Sequence, residues 1–167
     1  MKVNIFKEEN LFWTIFKKLI GSFVLALALT FGVSLLVGYQ YKIVASGSMT
    51  PYLPIHSIVM IQPVEYEELK VGDIVTYRSS NTTGIVYTFT HRVVRIADNG
   101  NIITGGDANI QADGTIKEDG EIVESRVLGK VVAHSYPLGA LVTYVKQNIF
   151  QCALVLIIIF LTSVIVS

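Results

Sequence analysis

The chain has 167 residues, 51% of them hydrophobic, with 13 lysines and arginines balancing 13 aspartates and glutamates. Balanced charge without a basic stretch excludes nucleic acid as a partner. The single cysteine, Cys152, excludes both an intrachain disulfide and a Cys-x-x-Cys metal pair.

The apolar residues gather at the two ends, as in a membrane protein with a polar middle. Residues 1–18 carry Lys2, Lys7, Lys17 and Lys18 against Glu8 and Glu9, and the positive-inside rule places this segment in the cytoplasm. Residues 19–41, from Leu19 to Tyr41, hold no charge. As a helix they would span roughly 34 Å against about 30 Å of hydrocarbon. The run is apolar on every face and too long for the h-region of a cleaved signal peptide, so a retained signal anchor is expected.

Residues 42–146 then lie outside the cytoplasm and change to short β-rich runs: Ser57 to Gln62, Asp73 to Arg78, Gly84 to Ala97, Asn101 to Thr104 and Glu121 to Ala133. Asp98-Asn99-Gly100 predicts a hairpin with a type I′ turn, because Asn-Gly supplies positive φ angles. Ser79 to Gly84 reads as a connecting loop, within which Asn81-Thr82-Thr83 matches a glycosylation acceptor. Ala112-Asp113-Gly114 to Asp119-Gly120 reads as a longer loop. Residues 147–167, centred on Ala153 to Leu161, are a second uncharged run and the expected second span. The fold class is therefore mainly β: a compact extracytoplasmic β domain between N- and C-terminal transmembrane helices, in a multi-pass protein of the cell membrane.

A few residues after the first apolar run stands Ser46-Gly47-Ser48-Met49-Thr50-Pro51. Ser48 is a candidate nucleophile at the membrane surface, with a glycine before it to let the backbone turn and a proline to fix the exit. His56, His91 and His134 are the histidines that could serve it. Period-two alternation puts His91 on one face with Tyr87, Phe89 and Val93, where apolar neighbours favour the neutral imidazole that a general base needs. Asp107 and Asp113, on a glycine-rich loop just after the hairpin, could each orient a histidine or merely form turns. The stretch lacks the alternating oxygen ligands of a calcium loop. Neither metal nor cofactor is expected.

Ser46-Gly47-Ser48-Met49-x-Pro51, Gly72-Asp73-Ile74-Val75, Thr90-His91-Arg92-Val93 and Gly106-Asp107-x-Asn109 followed by Asp113 together resemble the type I signal peptidase family. More narrowly they resemble its endoplasmic-reticulum-type branch, which has histidine where the common bacterial branch has a lysine base, in a small bacterial or archaeal form. The resemblance implies a signal-peptidase-like β catalytic domain, Ser48 as nucleophile, His91 as base, Asp113 as the orienting acid and Asp107 as a supporting residue. It also implies that the Ser46 hydroxyl joins the Ser48 amide in the oxyanion hole. The implied activity is removal of signal peptides from secretory preproteins after small residues of Ala-x-Ala type, with protein-translocation machinery as a further partner. Met49, Ile58, Val59, Met60 and Ile61 are the expected substrate-binding residues, with an extended substrate adding as a strand beside Ile58 to Ile61. The competing expectation is a tethered β domain that binds preproteins or assembles a complex without cutting them.

Overall fold

A computed structural model describes residues 5–80 and 84–166. Lys2 and the Asn81-Thr82-Thr83 acceptor fall outside the described residues. The chain divides into two compact units, residues 1–39 and 40–167.

The first unit is helix α1, Ile5–Leu36, whose Leu11–Leu36 portion is long and apolar enough to cross a membrane. That portion measures roughly 39 Å at the usual helical rise. The helix stops before the expected Tyr41 because Gly38, at φ 88°, turns the chain left-handed. The amides of Gly38 and Tyr39 then return to the carbonyls of Leu35 and Ser34. This is how a helix C-terminus satisfies carbonyls that have no partner further along.

The second unit is built on one antiparallel sheet of seven strands. In chain order they are β1 Gln40–Ile43, β2 Ile58–Gln62, β3 Ile74–Ser80, β4 Val86–Ile96, β5 Ile102–Ile110, β6 Ile116–Ile122 and β7 Val127–Ser135. Their spatial order is β1-β2-β7-β3-β4-β5-β6. β7 therefore returns to the middle and pairs with both β2 and β3. β3 carries four successive buried residues, Ile74, Val75, Thr76 and Tyr77, as a strand covered on both faces must.

Two apolar clusters hold the sheet. Leu69, Val75, Tyr77, Val93, Ile102 and Ile122 form one. Met49, Leu53, Val59, Ile61 and Ile74 form the other, with Val44 and Val131 packed against it. Met49 and Leu53 belong to the loop around Ser48, so the second cluster anchors the candidate nucleophile.

Several expectations of local structure need correction: the run Glu121 to Ala133 is split between β6 and β7 by a helical turn at Glu124–Arg126, and Ser79 and Ser80 belong to β3. The β4–β5 connection is not a type I′ turn, because Asn99 lacks the positive φ that such a turn requires, whereas Gly100 has φ 83°. The Gly100 amide reaches the Ala97 carbonyl, and Asn99 Oδ1 accepts the Asn101 amide at 3.0 Å. This is the longer hairpin loop in which one glycine supplies the left-handed residue. Next, the glycine-rich stretch after Thr104 is strand as far as Ile110. Finally, the supposed long loop ending at Asp119-Gly120 is mostly strand β6, joined to β5 by a tight turn at Asp113-Gly114.

At the C-terminus, α2 (Tyr136–Gln147) is capped by Ser135 and begins with Pro137 in its first turn. Gly139 is buried so closely on the backbone of His56, Ser57 and Ile58 that a Cβ there would collide with it. Helix α3, Ile149–Val166, follows after a bend of 88°. Among the described residues, α1 alone is long and apolar enough to span a membrane by itself, whereas α2 and α3 reach that length only as a bent pair.

Candidate active site

The chain from Val44 to Ser57 carries Ser48 between β1 and β2. Met49, 1% exposed, fastens it from below. Thr50 closes a turn on the Gly47 carbonyl through both its amide, at 3.0 Å, and its hydroxyl, at 2.7 Å. Gly47 does not adopt a left-handed φ, and a Cβ there would make only ordinary contacts, the nearest at 3.8 Å.

The glycine that this loop does require is Gly106. A Cβ at Gly106 would stand 2.6 Å from the Ser48 carbonyl oxygen and 3.1 Å from Ser48 Cβ. Close by, the Ala108 amide donates to that same carbonyl at 2.9 Å. The Gly106-Asp107-x-Asn109 motif thus holds the backbone of the nucleophile. Gly106→Ala is expected to lower turnover at least tenfold by displacing Ser48, on the scale set by small misplacements of reacting groups. Steady-state rates on a preprotein, beside a melting curve showing a folded variant, check it, and a wild-type rate would reject this role for the motif.

His91 comes from β4, registered opposite Val75, and is 5% exposed. Its Nε2 lies 3.0 Å from Ser48 Oγ and its Nδ1 2.6 Å from Asp119 Oδ2. A carboxylate on Nδ1 fixes the proton there and leaves Nε2 to accept from the serine hydroxyl. Of the neighbours expected from strand parity, Phe89 sets its ring 6.0 Å from the imidazole, and Tyr77, from β3, adds a second ring at 6.4 Å. His56 and His134 are elsewhere. His56 is exposed in a loop at φ 71°, and His134 lies tilted against the Tyr52 ring at 5.0 Å.

The carboxylate beside His91 is not one of the two expected. Asp113 is exposed in the β5–β6 turn, where its Oδ1 accepts the Thr115 hydroxyl at 2.7 Å and the Thr115 amide at 2.9 Å. These bonds hold its carboxyl below the ordinary value without bringing it to the histidine. Asp107 is taken up by Arg92 in a two-pronged ion pair at 2.8 and 2.7 Å. Arg92 also donates to the Gly72 carbonyl at 2.9 Å and lies over the Tyr52 ring. Asp107 thereby ties β5 to β4 and to the loop before β3, and its hydrogen bonds raise the Arg92 pKa further.

Asp119, on β6, receives three donors at Oδ2: His91, the Thr104 hydroxyl at 2.8 Å and the Tyr77 hydroxyl at 3.1 Å. Partial burial works to raise its pKa, but hydrogen bonds from His91, Thr104 and Tyr77 and the attraction of the imidazole outweigh it, leaving the carboxyl below its ordinary value. Burial pushes the Tyr77 phenol well up, so it stays a neutral donor.

Ser46 is exposed, with Oγ 3.2 Å from Ser48 Oγ. A groove of about 250 Å³ opens beside the pair, lined by residues 42–46, by Ser48, Met49, Leu53 and Val59, and by residues 87–91. Of the expected substrate-binding residues, Met49 and Val59 reach it, whereas Ile58, Met60 and Ile61 do not. Nor can a strand add beside Ile58 to Ile61, because β2 is already paired with β1 on one edge and β7 on the other. The open edges flank the groove. β1 is the outermost strand, and β5 takes up register with β4 only from Arg92 onward, leaving Thr88 to Thr90 beside the groove. Among the described residues, no group of His, Cys, Asp and Glu side chains is arranged to hold a metal.

No family model matches the chain. It is 35% identical over 80 residues to Signal peptidase I W of Bacillus subtilis (strain 168), a match covering 46% of this chain and 40% of that protein. The chain thus matches less than half of the curated relative's length, and the similarity supports a relationship to signal peptidase I.

Proposed function

We propose that this chain is a membrane-bound serine endopeptidase of the endoplasmic-reticulum-type signal peptidase branch, cutting signal peptides from secretory preproteins after small residues. The observation that carries the proposal is the relay Ser48 Oγ–His91 Nε2–His91 Nδ1–Asp119 Oδ2, with separations of 3.0 and 2.6 Å. Ser48 Oγ attacks the scissile carbonyl carbon while its proton passes to His91 Nε2. The negative oxygen is met by the Ser48 amide and the Ser46 hydroxyl, donors that act where charge develops. His91 returns the proton to the leaving amine as the carbon–nitrogen bond breaks. Water then attacks the acyl carbon, giving its proton to His91, and Ser48 leaves reprotonated. Asp119 keeps the ring in the required tautomer throughout.

The substrate in this reading lies extended between the open edges of β1 and β4, adding main-chain hydrogen bonds as a strand does. The apolar side chains of Val44, Met49, Leu53 and Val59 favour small apolar substrate residues. Helix α1 anchors the chain with the lysines of residues 1–18 in the cytoplasm, and α3 supplies the second contact with the bilayer.

Purified full-length protein in detergent is expected to release a signal peptide from a preprotein with an Ala-x-Ala site, at the bond after the second alanine. Product masses identify the bond, and an uncut preprotein with folded enzyme would reject the activity. In cells, a cysteine replacing Ser80 should react with an impermeant thiol reagent added outside, and reaction only after lysis would reverse the topology.

A further inference from the structure

Among the described residues, Lys42 is the one lysine, arginine, aspartate or glutamate lining the groove beside Ser48 and His91. It stands in register with Val59 on β2, and paired residues of neighbouring strands share a face. Val44, two residues on and so on that same face, packs against the cluster of Met49, Leu53, Val59, Ile61 and Ile74. The ammonium stem thus leaves the edge strand on the inward face, half-buried among apolar neighbours. Among the described residues no carboxylate pairs with it, whereas Lys130 is paired with Asp73 and Arg92 with Asp107. A cation in such a place gains more from a partner than one in open water, because the surroundings screen it less.

We propose that Lys42 is a specificity residue that selects peptides carrying an aspartate or glutamate side chain several residues from the scissile bond, on the flank that runs along β1. This rests on the endopeptidase reading of the groove and names a substrate feature which that reading leaves open. Four residues of chain separate Lys42 from Ser46, a reach of at most about 13 Å. An extended peptide in the groove advances at the same rate per residue, which puts the matching acid about three to five residues from the cut.

The test walks one glutamate through each position on both sides of the cleavage site of a neutral peptide. Cleavage is measured with the wild-type enzyme and with Lys42→Gln and Lys42→Glu, and binding with the same three sequences in a Ser48→Ala background. At one position or two adjacent ones, the wild-type enzyme should prefer glutamate over glutamine by about tenfold in kcat/KM, in the range of partly buried charge pairs across an interface. Lys42→Gln should erase that ratio, and Lys42→Glu should invert it in favour of lysine at the same position. The ratio should also shrink in high salt. Cleavage indifferent to the glutamate at every position would overturn the proposal and leave Lys42 as an inward charge that guards an edge strand against aggregation. Binding that follows the charge pattern without any cleavage would uphold Lys42 as the selector and instead remove the endopeptidase reading.

Discussion

Replacing Ser48 by alanine should reduce preprotein cleavage by roughly a million-fold, the scale at which loss of a serine nucleophile disables its whole catalytic unit. The fold should not notice the change. Ser48 Oγ is bonded to His91 and Ser46. The loop, however, is held by other groups: buried Met49, the Thr50 turn, and the Ala108 amide on the Ser48 carbonyl. None of these uses the serine hydroxyl. Single-turnover cleavage at high enzyme concentration, with a melting curve alongside, separates the two quantities. A variant that cuts at even a hundredth of the wild-type rate would show that another group attacks the carbonyl, and the serine mechanism would fall. A variant that melts early would instead show that the hydroxyl supports the loop.

The parts of this fold that were legible in the sequence are those where residue type and periodicity agree. β3 and β4 are rich in valine, isoleucine, threonine and aromatic residues, and strand parity alone placed His91 with Phe89 and Val93 on the face that the structure buries in part. β6 was not legible, because Lys117-Glu118-Asp119-Gly120-Glu121 contains the residues least favoured in strands. It forms because β5 offers it a partner edge, a long-range circumstance that local propensity does not carry. A signal did exist: Asp113-Gly114 is itself a hairpin dipeptide, and Ile116 and Ile122 bracket the charged run as strand ends would. Reading that turn as a hairpin would have placed Asp119 on a strand next to β5, within reach of β4. The start of β1 was hidden for a different reason. Gln40 and Tyr41 continue an uncharged run, and absence of charge does not distinguish the end of a helix from the edge strand after it.

The acid that orients His91 is where sequence pattern and geometry diverge, and substitution separates them sharply. Asp119→Asn should lower kcat by about four orders of magnitude, because an amide in that place no longer favours the proton on Nδ1. Asp113→Asn should cost little, since its carboxylate serves the turn at Thr115. The pH dependence of stability gives a second, independent reading. With its carboxyl held below the ordinary carboxylate value, Asp119 adds stability at pH values above that ordinary value, and the contribution disappears as the pH falls through the depressed native value. The stability gap between the wild type and Asp119→Asn should therefore be widest near neutrality and narrow in acid. Turnover of both variants on one preprotein, with denaturant unfolding at neutral and acidic pH, decides the matter. Severe loss in Asp113→Asn with near-normal turnover in Asp119→Asn would return the orienting role to Asp113. It would also mean that the β5–β6 hairpin rearranges when a substrate enters the groove, because the turn at Asp113-Gly114 now directs that carboxylate to Thr115.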